Sequence, residues 1–129
     1  MKMIIAVNDA GYIGLNNQLP WQCSEDLKHF KKVTMGCKLL VGRKTYETLP
    51  PLKGRELIVV GQGHNTLEEA LAQKPDWVIG GAKIYESTLH LCDELHISRI
   101  NDDTVGDTKW IDICDYIGEI HEYNFEVNN

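Results

Sequence analysis

The chain has 129 residues, 43% of them hydrophobic, and a formal net charge of -6. That suits one domain with a single core, and no apolar run reaches the roughly eighteen residues of a membrane span. The acidic balance argues against a nucleic-acid partner, which needs a basic face. The Met1-Lys2-Met3-Ile4 start lacks a long apolar segment with a small-residue cleavage site, so a cytoplasmic protein is expected.

In chain order, the first apolar run is MIIAVN, Met3 to Asn8, too short for a globular helix and read as a strand. GYIGLNNQLPW follows, Gly11 to Trp21. Its glycines and asparagines read as loop over Gly11 to Gln18, yet Tyr12, Ile13, Leu15, Leu19 and Trp21 are too many apolar residues for a merely solvated connection. Ser24 to Thr34 has helical periodicity with Asp26, Phe30 and Val33 on one face. Asp26 therefore lies in an apolar arc. It either complements the helix dipole or sits in a pocket, where burial is costly without a complementary ligand.

Three more short apolar runs read as strands: Lys38 to Gly42, Glu56 to Gly61 and Asp76 to Gly81. Continuous apolarity implies burial on both faces, as in a parallel sheet. Helices are expected at Lys44 to Leu49, Thr66 to Gln73 and Ala82 to Leu89, the second opened by a Thr66/Glu69 capping box. Glu94 to Asn101 and Ile120 to Val127 alternate in polarity and read as antiparallel strands added at the C-terminal end. The expected fold is a three-layer α/β/α domain over residues 1–129, with a mostly parallel central sheet and an antiparallel C-terminal part.

Two strand-to-helix turns share a chemistry. LLVGRKTYETL passes through Gly42 into Arg43, Lys44 and Thr45, and WVIGGAKIYESTL passes through Gly80 and Gly81 into Ala82 and Lys83. Glycine permits close approach to free N–H groups at a helix start, so each is a candidate anion site, and the pair suits a dinucleotide. There is no GxGxxG after the first strand, which disfavours an ordinary Rossmann domain. Cys23, Cys37, Cys92 and Cys114 have neither CxxC nor zinc-site spacing and read as free thiols. His90, Cys92 and His96 match no familiar ligand set, so no metal is expected, and His29, His64 and His121 read as surface residues.

Taken in order, AVNDAGYIGLNNQLPW, SEDLKHFKKVT, VGRKTYETL, PLKGRELIVV, VIGGAKIYE and GDTKW resemble the dihydrofolate reductase family over nearly the whole chain. The resemblance implies NADPH-dependent reduction of 7,8-dihydrofolate, with hydride delivered to C6 and a water-derived proton to N5. It implies that Asp26 grips the pterin edge with support from Ser98, that Leu27, Phe30 and Leu49 pack on the pterin and benzoyl rings, and that Arg55 holds the glutamate carboxylate. Ala6, Ile79 and Tyr85 would border the nicotinamide and the pterin. Gly42, Arg43, Lys44 and Thr45 would bind one phosphate, Gly80, Gly81, Ala82 and Lys83 another, with Ile13, Val60, Gly61, Gln62 and Ile84 completing the cofactor site. Leu19 and Trp21 would be the closing tip of a lid over Gly11 to Trp21, and Asp107 would pair with the lid backbone. The implied protein is a monomer.

The chain departs from the family in a short Val60 to Trp77 stretch, an abbreviated tail after Trp110, and GQGHN where a serine or second arginine often serves the 2'-phosphate. A related pterin or pyrimidine reductase and a weakly active folate-binding assembly protein are the alternative readings.

Overall fold

The computed structural model describes residues 1–127. Six strands form one sheet in the order β4-β3-β5-β1-β6-β8: β1 (Lys2–Asn8), β3 (Lys38–Gly42), β4 (Glu56–Val60), β5 (Trp77–Val78), β6 (Glu94–Asn101) and β8 (Glu119–Glu126). A second, two-stranded sheet pairs β2 (Tyr12–Gly14) with β7 (Thr108–Lys109). The helices are α1 (Ser24–Thr34), α2 (Arg43–Thr48), α3 (Leu67–Ala72) and α4 (Ala82–Thr88). No described helix is long and apolar enough to cross a membrane.

The strand runs are continuous because both faces of the sheet are covered. Met3, Ile5, Val7, Leu40, Ile58, Val78, Leu95 and Ile97 form one core cluster, against which Leu67, Ala82 and Ile84 pack from α3 and α4. Ile4, Leu39 and Trp77 form a second, covered by Phe30 and Val33 of α1. A third holds Trp21, Cys23 and Ile100 with Ala6, Phe125 and Val127. Successive β1 residues thus point alternately to opposite helical layers. The Thr66/Glu69 capping box forms as expected, Thr66 Oγ1 accepting from Glu69 N at 3.1 Å and Glu69 Oε1 from Thr66 N at 2.9 Å. The four cysteines are free.

The antiparallel C-terminal part is corrected by the pairing. β6 runs parallel to β1, and β8 runs parallel to β6 from Glu94↔Glu119 to Asn101↔Glu126. The reason is the crossover through 102–118, which returns the chain to the beginning of β6. There Tyr116 Oη donates to Cys92 O at 2.9 Å and Glu119 N donates to Asp93 O at 3.0 Å, so β8 sets out in the same direction as β6. Nor does the alternation in β6 mark a wet face: His96 and Ser98 are buried beneath the α1 layer. The antiparallel pairing that does occur is β2 with β7.

Candidate active site

Asp26 sits in the first turn of α1 and is 6% exposed. No ion pair reaches it among the described residues. Burial raises its pKa above the ordinary carboxylate range, while the Ser98 hydroxyl and the His29 ring oppose that rise. Ser98 Oγ is itself buried and makes no other hydrogen bond among the described residues, so it faces the Asp26 carboxyl. Ala6 pairs with Ser98 across β1 and β6, which brings the first strand to the same place. His29 is not the surface residue its sequence context implies. Its ring lies 4.3 Å from that of Tyr123 and 5.5 Å from that of Phe125, and its own burial lowers its pKa.

The two glycine turns meet. Gly42 N donates to Gly80 O at 2.7 Å, and Ile79 N to Leu40 O at 3.0 Å. A Cβ on Gly42 would lie 3.1 Å from Ile84 Cγ1, and one on Gly81 would lie 2.9 Å from Thr45 Oγ1. Gly80 has φ +123 with the Tyr85 side chain 3.3–3.4 Å from where a Cβ would stand, so a side chain there would be strained at the backbone and press on Tyr85. Gly61, at φ +147, leaves room for Arg43, whose Cβ would be 2.7 Å from a Cβ at that position. Val60 pairs with Gly42 in the sheet. Neither α2 nor α4 has a side-chain cap at its start, in contrast to α3, so their first N–H groups lack a side-chain acceptor. Tyr85 is buried, its hydroxyl donating to Ile4 O at 2.8 Å, and burial drives its pKa far above that of a free phenol.

Around this cradle the charged residues are spread out. Lys44, Gln62 and Lys83 are exposed, Ala82 is half-buried, and Arg43 Nη1 is engaged with Glu47 Oε1 at 2.6 Å. Arg55 lies elsewhere, in an open cleft of about 520 Å³ lined by Lys31, Met35, Pro51, Lys53 and Gly54, with Nε donating to Lys53 O at 3.1 Å. Lys31, Lys53 and Arg55 make that cleft cationic. Leu27 and Leu19 are 55% and 42% exposed, and Phe30 and Leu49 are half-buried, so these apolar side chains stay partly open to solvent.

The Gly11 to Gln18 segment is more ordered than loop composition implies. Leu15 N donates to Gln18 O at 2.8 Å and Gln18 N to Leu15 O at 3.1 Å, with φ of 54 at Asn16 and 62 at Asn17, the geometry of a type I′ hairpin turn. Asp107 Oδ2 accepts from Asn16 N at 2.9 Å, and Thr48 Oγ1 donates to Asn17 O at 2.7 Å, tying the turn to β7's approach and to α2. Ile13 is buried in the main core. Trp21, expected in the closing tip, is 6% exposed at the segment's end, in the third cluster with Ala6.

Asn8 was not among the residues singled out from sequence. Its side chain donates to Asp102 Oδ2 at 3.1 Å and Thr104 O at 2.7 Å and accepts from Tyr12 N at 2.9 Å, holding the start of the segment. The signal was an amide ending an apolar strand. Gly106 is the other omission, since a Cβ there would run into Gly14 O.

The sequence profile described as dihydrofolate reductase matches residues 1–124. The chain is 39% identical to dihydrofolate reductase type 9 from Escherichia coli, over 84% of this chain and 75% of that protein. It is 34% identical to a dihydrofolate reductase from Mycoplasma genitalium, over 97% of this chain and 93% of the other. A solved dihydrofolate reductase from Enterococcus faecalis, complexed with NADP(H) and RAB-propyl, superposes with a TM-score of 0.78 at 31% identity, covering 88% of this chain and 77% of that one.

Proposed function

The chain belongs to the dihydrofolate reductase family of enzymes, and from that premise we propose that it reduces 7,8-dihydrofolate to 5,6,7,8-tetrahydrofolate with NADPH, as a cytoplasmic monomer. The observation that carries the reading is Asp26, a carboxylate 6% exposed and without an ion pair among the described residues, beside the buried Ser98 hydroxyl. A buried carboxylate without an ion-pair partner is costly unless a ligand supplies donors, and the N3–H and 2-amino edge of a pterin supplies two.

The residues present fit the cofactor. Gly42, Gly80 and Gly81 leave a cradle that a Cβ would fill, at the starts of two helices without side-chain caps. Gly42, Arg43, Lys44 and Thr45 hold one phosphate and Gly80, Gly81, Ala82 and Lys83 the other. Val60, Gly61, Gln62 and Ile84 line the adenosine side, and Ala6, Ile13, Ile79 and Tyr85 the nicotinamide side. Arg43, which faces Glu47, would hold the 2'-phosphate. When bound, NADPH supplies the hydride that adds to C6.

Asp26 orients the pterin and favours protonation at N5, the proton arriving from water. Leu27, Phe30 and Leu49 pack on the pterin and benzoyl rings, and the cationic cleft of Arg55, Lys31 and Lys53 receives the glutamate tail. Leu19 closes the near side while Asp107 holds the hairpin turn in place, excluding bulk water from the reacting atoms. The test is an absorbance assay of NADPH oxidation with dihydrofolate, repeated with NADH. Turnover with NADPH and much weaker turnover with NADH are expected; folate binding without turnover would defeat the proposal.

A further inference from the structure

The α1 face of β6 and β8 carries a second group of side chains, beyond those assigned to the cleft. Glu94-Leu95-His96 and Glu119-Ile120-His121 repeat one pattern on neighbouring strands. The parallel register aligns them, Glu94 beside Glu119 and His96 beside His121. With a side-chain period of two, all four project from one face as a grid of two carboxylates and two imidazoles. His121 Nε2 lies 3.5 Å from Glu94 Oε1 and 3.5 Å from Glu119 Oε2, and His96 Nε2 lies 3.0 Å from Glu94 Oε1. Ligand atoms of Glu94, His96 and His121 all fall within 4.8 Å of one another. The two rings stack, centroids 4.4 Å apart and 4° from parallel, so a shared ion requires the more exposed His121 ring to turn toward it.

Like charges directly opposite on paired strands are unfavourable. Lys2, across from Glu94 on β1, offsets that carboxylate, and a bound divalent ion would offset Glu119 as well. A bridging histidinium would draw its carboxylates to about 2.7–2.9 Å, whereas both His121 separations are 3.5 Å. Ligand atoms at about 2.1 Å from a tetrahedral zinc ion stand about 3.4 Å apart. His96 Nδ1 lies 3.0 Å from Tyr123 Oη and Nε2 lies 3.0 Å from Glu94 Oε1, so Nε2 is the nitrogen turned toward the carboxylate. Holding the far nitrogen in this way is how proteins orient a ligating histidine. The His96 side chain is 11% exposed and that of His121 43%, so the group is closed toward the sheet and open at its edge. Mixed imidazole and carboxylate donors suit zinc and its late first-row neighbours rather than magnesium or calcium.

We propose that Glu94, His96, His121 and Glu119 form a site for a zinc-like divalent cation that fastens the edge strand β8 to β6. Because a folded-state ligand raises stability by mass action, zinc raises the melting temperature of chelator-stripped protein. The experiment is calorimetric titration of that protein with zinc chloride, with Co²⁺ absorption as a probe of coordination. About one equivalent should bind with a visible cobalt band of tetrahedral type. His121→Ala and Glu119→Gln, at exposed positions and checked for folding by circular dichroism, should each weaken binding by about tenfold or more. Cys114→Ser, which removes the exposed thiol, should leave binding unchanged. No zinc binding, equal binding in His121→Ala, or loss of binding in Cys114→Ser would overturn the assignment. So would a melting temperature that responds to acidification through the histidine range but not to zinc.

Discussion

The Asp26 carboxyl is held above its ordinary pKa mainly by burial, and this has a signed consequence for stability. Between the unfolded and folded pKa values the native state keeps a proton that the unfolded chain has released, so stability falls as pH rises through that interval. Below the ordinary carboxylate range the penalty is absent; above the raised pKa it is complete. Asp26→Asn is therefore expected to melt higher than the parent at neutral pH, the difference vanishing near pH 3, about one unit below the unfolded carboxylate value. Turnover should fall by about 10²-fold or more. A variant that melts lower at neutral pH would contradict the electrostatic account. Gly81→Ala tests the cradle at the same scale. The new methyl would stand 2.9 Å from Thr45 Oγ1, so Thr45 must turn aside. The expected result is a raised KM for NADPH with stability within about 1 kcal/mol of the parent; an unchanged KM would remove this turn from the cofactor site. Asp26 was legible because a helical wheel places it in an apolar arc. His29 was not, because its cover is Tyr123 and Phe125, nearly a hundred residues away in sequence.

Among the elements, the Gly11 to Gln18 segment shows how composition undersells order. Its tip is a two-residue turn, and its hold on the rest of the molecule includes the Asp107 carboxylate, which hydrogen bonds from Asn16 N and Thr108 Oγ1 keep below the ordinary pKa. Asp107→Ala should lower kcat/KM and speed amide exchange at Asn16 while the melting temperature stays close to the parent's, since the carboxylate is exposed and the core is untouched. A fall in melting temperature that alone accounts for the lost activity would make Asp107 a structural residue instead. The helices were legible to within a residue or two because cap pairs and apolar spacing are local properties. Strand β2 was not, because it exists by pairing with β7 across the molecule.

At the scale of the whole molecule, the sheet is a stack of parallel pairings with both faces covered, and its middle strands carry the load. Leu40 in β3 is completely buried, so Leu40→Ala should cost about 2–5 kcal/mol by urea unfolding with an unchanged slope. A cost below about 1 kcal/mol would mean that the core around the glycine turns is loosely packed. β8 is the opposite case, an edge strand mostly open to solvent and studded with Glu119, Glu122 and Glu126, which discourages further strand addition. The amino-acid sequence by itself determined the buried strands, the helices and the capping box of α3, the two glycine turns and the carboxylate in the apolar arc, since each is written in neighbouring residues. Only the tertiary structure decided the direction of β8, the half-burial of His29, the burial of Trp21, and the alignment of two Glu-x-His tripeptides into one grid. Those depend on where the 102–118 crossover sets the chain down, and no local pattern specifies a destination.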